Sequence, residues 1–145
     1  MADMKRTALL PALLLPLALL VACGGDEPEP LTKDEFTTQA NKICSDGNAE
    51  LETAAEELGE SPSEEQIEEF VTDAVLPNLQ GQHDDLEDLA APEGDEDEVE
   101  EILDALQDGI DGIEEDPAGA ITSGEDPLAE ASELAGDYGL TECAS

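Results

Sequence analysis

The apolar residues after position 31 recur at steps of three and four, which is the period of an α-helix. The first such segment, residues 32–58, opens with Thr32-Lys33-Asp34-Glu35, a capping-box pattern, and is followed by Gly59, a typical C-cap. These signals predict one long amphipathic helix. Its apolar stripe consists of Phe36, Ala40, Ile43, Gly47, Leu51, Ala54 and Leu58.

Two further stripes follow, and prolines and acidic residues mark their ends. Ser61 followed by Pro62 predicts an N-cap and a first helical position, and Pro77 predicts a kink or a break in mid-segment. Asp95 predicts the N-cap of the third helix, and Asp116-Pro117 predicts its end. The stripes are Ile67, Phe70, Val71, Ala74, Val75, Leu79, Leu86 and Leu89, and then Val99, Ile102, Leu103, Leu106, Ile110 and Ile113.

The fourth stripe completes an all-helical pattern. Residues 118–124 are predicted to form a loop, after which Asp126-Pro127 predicts the start of a helix that ends at Gly139. No segment shows a convincing alternation typical of a strand. Four amphipathic helices with short connections predict an all-α domain over residues 32–145, namely an antiparallel four-helix bundle. The fourth stripe is Leu128, Ala131, Leu134, Ala135 and Tyr138.

The beginning of the chain has the composition of a targeting segment. Lys5 and Arg6 precede a short apolar run, residues 8–20, which two prolines interrupt. A basic start, an apolar run and a small residue at its end are typical of a secretory signal peptide. A short membrane anchor is the alternative, but the run is short for a membrane span.

Leu20-Val21-Ala22-Cys23, at the end of this run, resembles the lipobox of bacterial lipoproteins. The resemblance implies cleavage after a signal peptide of residues 1–22 and a diacylglycerol, with or without a further N-acyl chain, on Cys23. Residues 23–31 would then be the lipidated N-terminus and a Pro-rich tether. This anchor would hold the protein on the outer face of the cytoplasmic membrane. No other cofactor is expected.

A second resemblance covers most of the remaining chain. The LTKDEFTTQANKIC start, the proline-centred middle and the DYGLTECAS end look like small secreted lipoproteins of high-GC Gram-positive bacteria. That group typically pairs an early cysteine with one near the C-terminus, and it implies no biochemical activity. Independently, export permits a disulfide, and lipidation of Cys23 leaves Cys44 and Cys143 as the remaining pair. Two buried free thiols or an intermolecular bridge are the alternatives.

The net charge of the chain limits the classes of partner that it can bind. Forty Asp and Glu face four Lys and Arg, for a net charge of −36. No basic patch is available to neutralise phosphates, so nucleic acid is excluded as a partner, and electrostatic docking on anionic lipid is disfavoured. A basic protein or weakly bound cations remain as partners, and the oligomeric state stays open. The even spread of acid along all four helices favours adaptation to a salty habitat over one focused binding groove.

Few residues are candidates for catalysis or metal binding. His83 is the only histidine, and beside Asp84 and Asp85 it is interpreted as a solvated helix residue, because no second histidine or matched nucleophile accompanies it. Residues 46–50 begin like an EF-hand loop, but Leu51 stands where that loop needs glycine. We therefore predict no catalytic residue and no specific metal site.

The sequence thus predicts a non-enzymatic, lipid-anchored extracytoplasmic helical module that serves in binding or in envelope structure. One alternative is a carboxylate-based hydrolytic enzyme of the cell envelope. A buried, convergent pair of carboxylates in a roomy pocket would favour that enzyme. The other alternative is a polyanionic surface protein that binds cations such as calcium.

Overall fold

The structure is a computed structural model that describes residues 29–59 and 61–145. The predicted signal peptide, the lipobox with Cys23 and residues 24–28 of the predicted tether lie outside this range. Throughout the described part the regular structure is helical, without a strand, as the sequence predicted. The elements are α1 (Lys33–Leu58), α2 (Glu64–Phe70), a π-helical segment (Val71–Val75), α3 (Leu76–Glu87), α4 (Glu96–Glu115), α5 (Gly119–Thr122) and α6 (Ala129–Tyr138).

Helix α1 begins and ends where its local signals predicted. The backbone N–H of Glu35 donates to Thr32 Oγ1 at 3.3 Å, and the N–H of Thr32 donates to Glu35 Oε2 at 3.0 Å. These reciprocal bonds satisfy two donors that a helix N-terminus otherwise leaves without partners. Gly59 follows the helix with a φ of +81°, a conformation that residues with a side chain rarely adopt.

Helix α2 begins two residues later than predicted. Its N-cap is Ser63, not Ser61, because Ser63 forms a complete capping box with Gln66. The N–H of Gln66 donates to Ser63 Oγ at 3.3 Å, and the N–H of Ser63 donates to Gln66 Oε1 at 3.0 Å. Pro62 therefore precedes the helix, where its missing N–H leaves no helical bond unmade.

Pro77 neither breaks the helix nor ends it, since the chain stays helical from Glu64 to Glu87. The irregularity lies one turn earlier, in the π-helical segment, where the N–H of Leu76 donates to the carbonyl of Val71, five residues back. In a regular α-helix the proline ring would clash with the carbonyl of residue 73. The wider π turn is the local irregularity that accommodates the proline.

The last third of the chain corrects two predictions. Residues 118–124 are not all loop, because Asp116 Oδ1 accepts a bond from the N–H of Gly119 at 3.0 Å and the short helix α5 follows. Helix α6 begins at Ala129, after a turn in which Asp126 Oδ1 accepts from the N–H of Leu128 at 2.9 Å. Its end at Gly139, with a φ of +108°, is as predicted.

Helix α4 packs against α3 and α6, and α3 also packs against α1. The buried apolar side chains form two clusters. The disulfide cluster consists of Phe36, Ala40, Cys44, Leu86, Val99, Ile102, Ala135 and Leu140. The π-helix cluster consists of Val71, Leu76, Leu79, Ile110 and Ile113.

Candidate functional site

A disulfide joins helix α1 to the segment after helix α6. The Sγ atoms of Cys44 and Cys143 are 2.03 Å apart and their Cα atoms 5.0 Å apart. Cys44 is buried and Cys143 is half-buried. The predicted intramolecular bond is confirmed, and it links residues 99 positions apart.

Two asparagines of α1 hold residues 140–145 across that helix. Asn41 Nδ2 donates to the carbonyl of Gly139 at 3.2 Å, and Asn41 Oδ1 accepts from the N–H of Glu142 at 2.9 Å. Asn48 Nδ2 donates to the carbonyl of Glu142 at 2.8 Å and to Ser145 Oγ at 3.1 Å. These bonds and the disulfide fix residues 140–145 as a cover beside α1, which we call the C-terminal cover.

An apolar cavity of about 180 Å³ lies beneath the C-terminal cover, among α1, α3, α4 and α6. Its lining takes side chains from the disulfide cluster and from the π-helix cluster, so the cavity occupies the junction of the two. Among the lining residues only Ser145, in the cover, is exposed. The main apolar walls are Leu79 and Leu86 of α3, Ile102 and Leu106 of α4, and Ala131 and Ala135 of α6.

The cavity results from small side chains at positions where helices usually carry large ones. Ala131 and Ala135 are buried on α6 and face the leucines and isoleucine of α3 and α4 across the open space. Gly109 of α4 permits close approach beside them, because a Cβ there would lie 2.6 Å from Leu128 Cδ2 and 2.8 Å from the carbonyl oxygen of Pro127. The contact at Gly109 thus brings residues 127 and 128 against α4, and the small side chains of Ala131 and Ala135 leave the space open.

One buried polar side chain, Gln82, also lines the cavity. It is 9% exposed, and its Nε2 donates to Asn78 Oδ1 at 2.7 Å. Asn78 Nδ2 in turn donates to the carbonyl of Gly47 at 3.2 Å and to Glu50 Oε2 at 3.3 Å. Gly47 makes room for the amide, since a Cβ at that position would lie 2.4 Å from Gln82 Nε2.

A second cluster of polar side chains lies near the start of α1. Lys33 Nζ lies 3.1 Å from Asp95 Oδ2 and 3.9 Å from the centre of the Tyr138 ring. The Tyr138 hydroxyl donates to Asp95 Oδ2 at 2.9 Å, and the ring packs edge-on against Phe36 at 5.9 Å. We call Lys33, Asp95 and Tyr138 the polar clasp.

The contacts of the polar clasp shift the pKa values of Asp95 and Tyr138. Hydrogen bonds from Tyr138 and Lys33 lower the pKa of Asp95, because they favour its ionised form. Burial and the neighbouring Asp95 carboxylate raise the pKa of the Tyr138 hydroxyl.

Asp95 stands at the predicted N-cap position of α4, but its side chain makes no capping bond there. The prediction that it caps the helix is therefore wrong at the level of the side chain.

The residues considered for metal binding lie on helices, but His83 is half-buried, with a side chain only 16% exposed, so the interpretation of His83 as a solvated residue is wrong. His83 Nδ1 lies 3.8 Å from Asp84 Oδ1, and the ligand atoms of His83, Asp84 and Glu87 lie within 4.8 Å of one another. The two carboxylates are exposed, as is usual for acidic side chains without a metal. Residues 46–50 lie inside α1, so they do not form the loop that an EF-hand requires.

The sequence analysis missed the cavity and Gln82. One signal was available for the glutamine, which stands between Leu79 and Leu86 at steps of three and four, where an apolar residue is expected. The alanines were recognised as part of a stripe, but a stripe does not show how far the facing helix lies.

In the part of the chain that the structure describes, no helix has both the length and the apolar character needed to cross a membrane. Comparisons with models of known protein families, with curated proteins and with solved structures give no match.

Proposed function

We propose that this protein is a lipid-anchored extracytoplasmic binding module, without enzymatic activity, that takes up a small apolar molecule in its central cavity. The apolar cavity beneath the C-terminal cover is the observation that carries this proposal. The remaining parts of the proposal are the signal peptide, the lipid on Cys23 and an antiparallel arrangement of the four long helical segments. They rest on the lipobox and on the four apolar stripes.

The size and lining of the cavity support uptake of an apolar molecule rather than water. An apolar cavity of about 150 Å³ engineered into another protein stays dry and binds benzene or xenon. The present cavity has about 180 Å³ and mostly aliphatic walls. An ordered water needs two to four polar partners, and within the lining only Gln82 is both polar and buried.

The unfilled space also lowers the free energy of unfolding. Cavities created by mutation lower the free energy of unfolding, because the side chains around them lose packing contacts. Replacing Ala131 with a larger residue would remove much of this penalty. A bound apolar molecule would recover it while leaving the alanine in place, which is the arrangement expected of a binding site.

The tether would place this cavity close to the membrane. The chain joins the helical domain at Leu31, whose N–H donates to the carbonyl of Ala90 at 3.3 Å and whose side chain packs on the disulfide cluster. The residues from Cys23 to Pro30 could then span at most ~29 Å when fully extended. Apolar molecules concentrate in lipid, so a tethered domain would meet them at the bilayer surface.

The alternative of a carboxylate enzyme has no observation in its favour among the described residues. That alternative requires two carboxylates that converge in a roomy pocket. The lining of the apolar cavity contains no Asp or Glu, and the acidic side chains of residues 29–59 and 61–145 are half-buried at most. We therefore propose binding rather than catalysis.

Xenon binding to the full-length protein in lipid nanodiscs tests the proposal. We expect xenon to shift the methyl resonances of Leu79 and Leu86, which line the cavity, and to leave those of the exposed Ile121 unchanged. Because Ala131 lies in the wall, Ala131→Leu should abolish the shifts. Ala55→Leu, the same change on the exposed face of α1, should retain them.

Ser132→Leu provides a second blocking variant at the half-buried edge of the same wall, in case Ala131→Leu does not fold. The proposal is wrong if wild type shows no shifts at Leu79 and Leu86, or if the shifts persist in both blocking variants. Membrane fractionation and intact mass of the Cys23→Ser variant test the anchor separately. We expect release from the membrane or an uncleaved precursor, and no acyl mass.

A further inference from the structure

We infer that the ligand is a cationic amphiphile, whose short alkyl chain fills the apolar cavity and whose ammonium head group stays in water at the cavity mouth. This inference rests on the proposed function and adds the chemical class of the ligand. Its starting point is the uneven exposure of the cavity lining. The side chains of the inner wall are buried, whereas others in the lining are half-buried or exposed.

The mouth of the cavity lies between α1 and the start of α6. Among the described helices these two form no extended contact with each other, in contrast to α1 with α3 and α4 with α6. The exposed Ser145 accepts a hydrogen bond from Asn48 Nδ2 at 3.1 Å, so the C-terminal cover ends at this seam. We call the seam the cavity mouth. Its half-buried lining residues are Asn48 and Leu51 on α1, and Leu128 and Ser132 at the start of α6.

The inner wall and its volume determine the apolar part of the ligand. Since about 150 Å³ is enough for the six carbons of benzene, about 180 Å³ admits some six to eight non-hydrogen atoms. A chain of six carbons matches both this volume and the aliphatic side chains around it. The buried side chains that would contact the chain are mainly Leu79, Leu86, Ile102, Ala131 and Ala135.

The charges of the protein determine the sign of the head group. The chain has a net charge of −36, and the only Lys and Arg side chains of its described part are Lys33, paired with Asp95, and Lys42, paired with Asp46. An anionic head group would therefore be repelled by the surrounding carboxylates. A cation inside the cavity would also be unfavourable, because the lining contains no Asp or Glu. A cation that stays in water at the cavity mouth avoids both penalties.

Three exposed glutamates stand next in sequence to residues of the cavity lining. Adjacent Cα atoms are only about 3.8 Å apart, so each carboxylate lies within roughly 10 Å of its lining neighbour, which is the Debye length at 0.1 M salt. All three would attract an ammonium group at the cavity mouth. They are Glu52, Glu133 and Glu142, adjacent to Leu51, Ser132 and Cys143.

Hexylammonium, hexanol and heptanoate share one hexyl chain and differ in the charge of the head group. Their dissociation constants would be measured on the full-length protein in nanodiscs of zwitterionic lipid. The methyl shifts of Leu79 and Leu86 report binding in the cavity, and empty nanodiscs give the free probe concentration. A surface potential of only one kT per unit charge would make hexylammonium bind about sevenfold more tightly than heptanoate at 0.1 M salt, with hexanol between them. In 1 M salt, where the Debye length is about 3 Å, we expect the three to agree within about twofold.

Two triple variants with the same change in net charge test where the head group lies. The variant Glu52→Gln/Glu133→Gln/Glu142→Gln neutralises the carboxylates beside the cavity mouth, and at 0.1 M salt we expect it to reduce the preference for hexylammonium over heptanoate about threefold. The control is Glu65→Gln/Glu68→Gln/Glu69→Gln, three exposed positions of α2, a helix that contributes no residue to the lining. It should change the preference by less than about 1.5-fold, because these carboxylates are screened from the mouth.

The blocking variant Ala131→Leu separates uptake into the cavity from adsorption on the acidic surface. It should abolish binding of all three probes, since the hexyl chain loses its place. Heptanoate binding as tightly as hexylammonium, a preference that 1 M salt leaves unchanged, or equal changes in the two triple variants would overturn the cationic head group while hexanol still shows that the cavity binds. If no probe shifts Leu79 and Leu86 in wild type, the proposed function itself fails.

Discussion

The two core clusters of this protein are held together by different means. The disulfide cluster is bordered by a covalent bond, by the polar clasp and by an edge-on aromatic pair. The π-helix cluster consists of Val, Leu and Ile side chains, with further partly buried apolar side chains packed on it. The first region is fixed by bonds with strict geometry, and the second by packing that depends mainly on shape and area.

This difference explains where the cavity lies. Its wall takes Cys44 and Leu140 from the covalently fixed side and Leu79 from the side held by packing. Directional bonds keep the C-terminal cover in place even where no side chain supports it from below. An interior held only by aliphatic packing would tend to collapse into such a space, because each unfilled contact loses dispersion energy. The contrast between the two regions can be measured in four ways, which follow from the largest expected effect to the smallest.

Removing the disulfide should have the largest effect. The double variant Cys44→Ala/Cys143→Ala opens a loop of 99 residues, for which chain entropy predicts a loss of about 4–5 kcal/mol in the free energy of unfolding. Urea denaturation measures the loss. Wild type under strong reductant is the matched control and should approach the stability of the variant. A loss below about 1 kcal/mol would mean that the polar contacts of Asn41 and Asn48 hold the cover without the bond.

Truncating the π-helix cluster should have the next largest effect. Ile110 is fully buried at its centre, so Ile110→Ala should lower the free energy of unfolding by about 2–5 kcal/mol. Ile121 is 52% exposed, and Ile121→Ala is the matched control, with an expected change within about 0.5 kcal/mol. Urea denaturation of both variants tests this. Equal losses at the two positions would show that Ile110 is not in a packed core.

The N-terminal cap of α2, the helix that leads into the π-helical segment, allows a finer test of that side of the molecule. Ser63→Ala removes the capping box of α2 and should lower the free energy of unfolding by about 1 kcal/mol. Ser61→Ala, two residues earlier, is the control and should change it by less than about 0.5 kcal/mol. Thermal unfolding distinguishes them. A larger loss at Ser61 would restore the cap position that the sequence suggested.

The smallest effect should be the part of the acid dependence of stability that belongs to the polar clasp. The folded pKa of Asp95 is lowered, so its stabilising contribution is present above the ordinary value of 3.8 and is lost as the pH falls through the lowered value. Tyr138→Phe removes the main cause of this shift. We expect the free energy of unfolding to fall less steeply between pH 4 and pH 2.5 in Tyr138→Phe than in wild type.

Glu35 serves as an internal reference for that measurement. Its pKa is also lowered, by hydrogen bonds with Thr32, and Tyr138→Phe leaves those bonds intact. The variant should therefore keep the part of the acid dependence that belongs to the capping box. If wild type and Tyr138→Phe have the same acid dependence, the clasp does not couple protonation to folding.

Signals that act over a few residues allowed much of the fold to be predicted. The capping box at Thr32 and the glycines at 59 and 139 require only local geometry, and each has its predicted place. The residues of the four apolar stripes lie on helices, except that Leu89 follows the end of α3 and Leu128 precedes the start of α6. The disulfide was predictable because the expected lipidation of Cys23 leaves two cysteines as a pair. Ser61 was chosen wrongly because Ser61-Pro62 and Ser63 both match a cap pattern, and only the bond to Gln66 distinguishes them.

The candidate site was less accessible to sequence reasoning. A cavity depends on how far apart the helices lie, and local sequence patterns do not report that distance. Nor do they show that Gly47 makes room for the Gln82 side chain and Gly109 for Pro127 and Leu128. The glycine at position 109 could be interpreted either as a weak point or as a contact, and the structure shows the contact. The sequence also does not show that Gln82 donates a hydrogen bond to Asn78, which in turn donates to the carbonyl of Gly47 in α1.

The π-helical segment has a consequence for how related chains should be aligned. Val71 and Leu76 are both buried although they are five positions apart, whereas an α-helix repeats its buried face every three or four. The segment is therefore equivalent to one inserted residue, and a chain lacking that residue would present the same face from an unbroken α-helix. Such a chain would then bring a proline at the position of Pro77 against the preceding turn. A one-residue gap in this stretch and the loss of the proline should accordingly occur together.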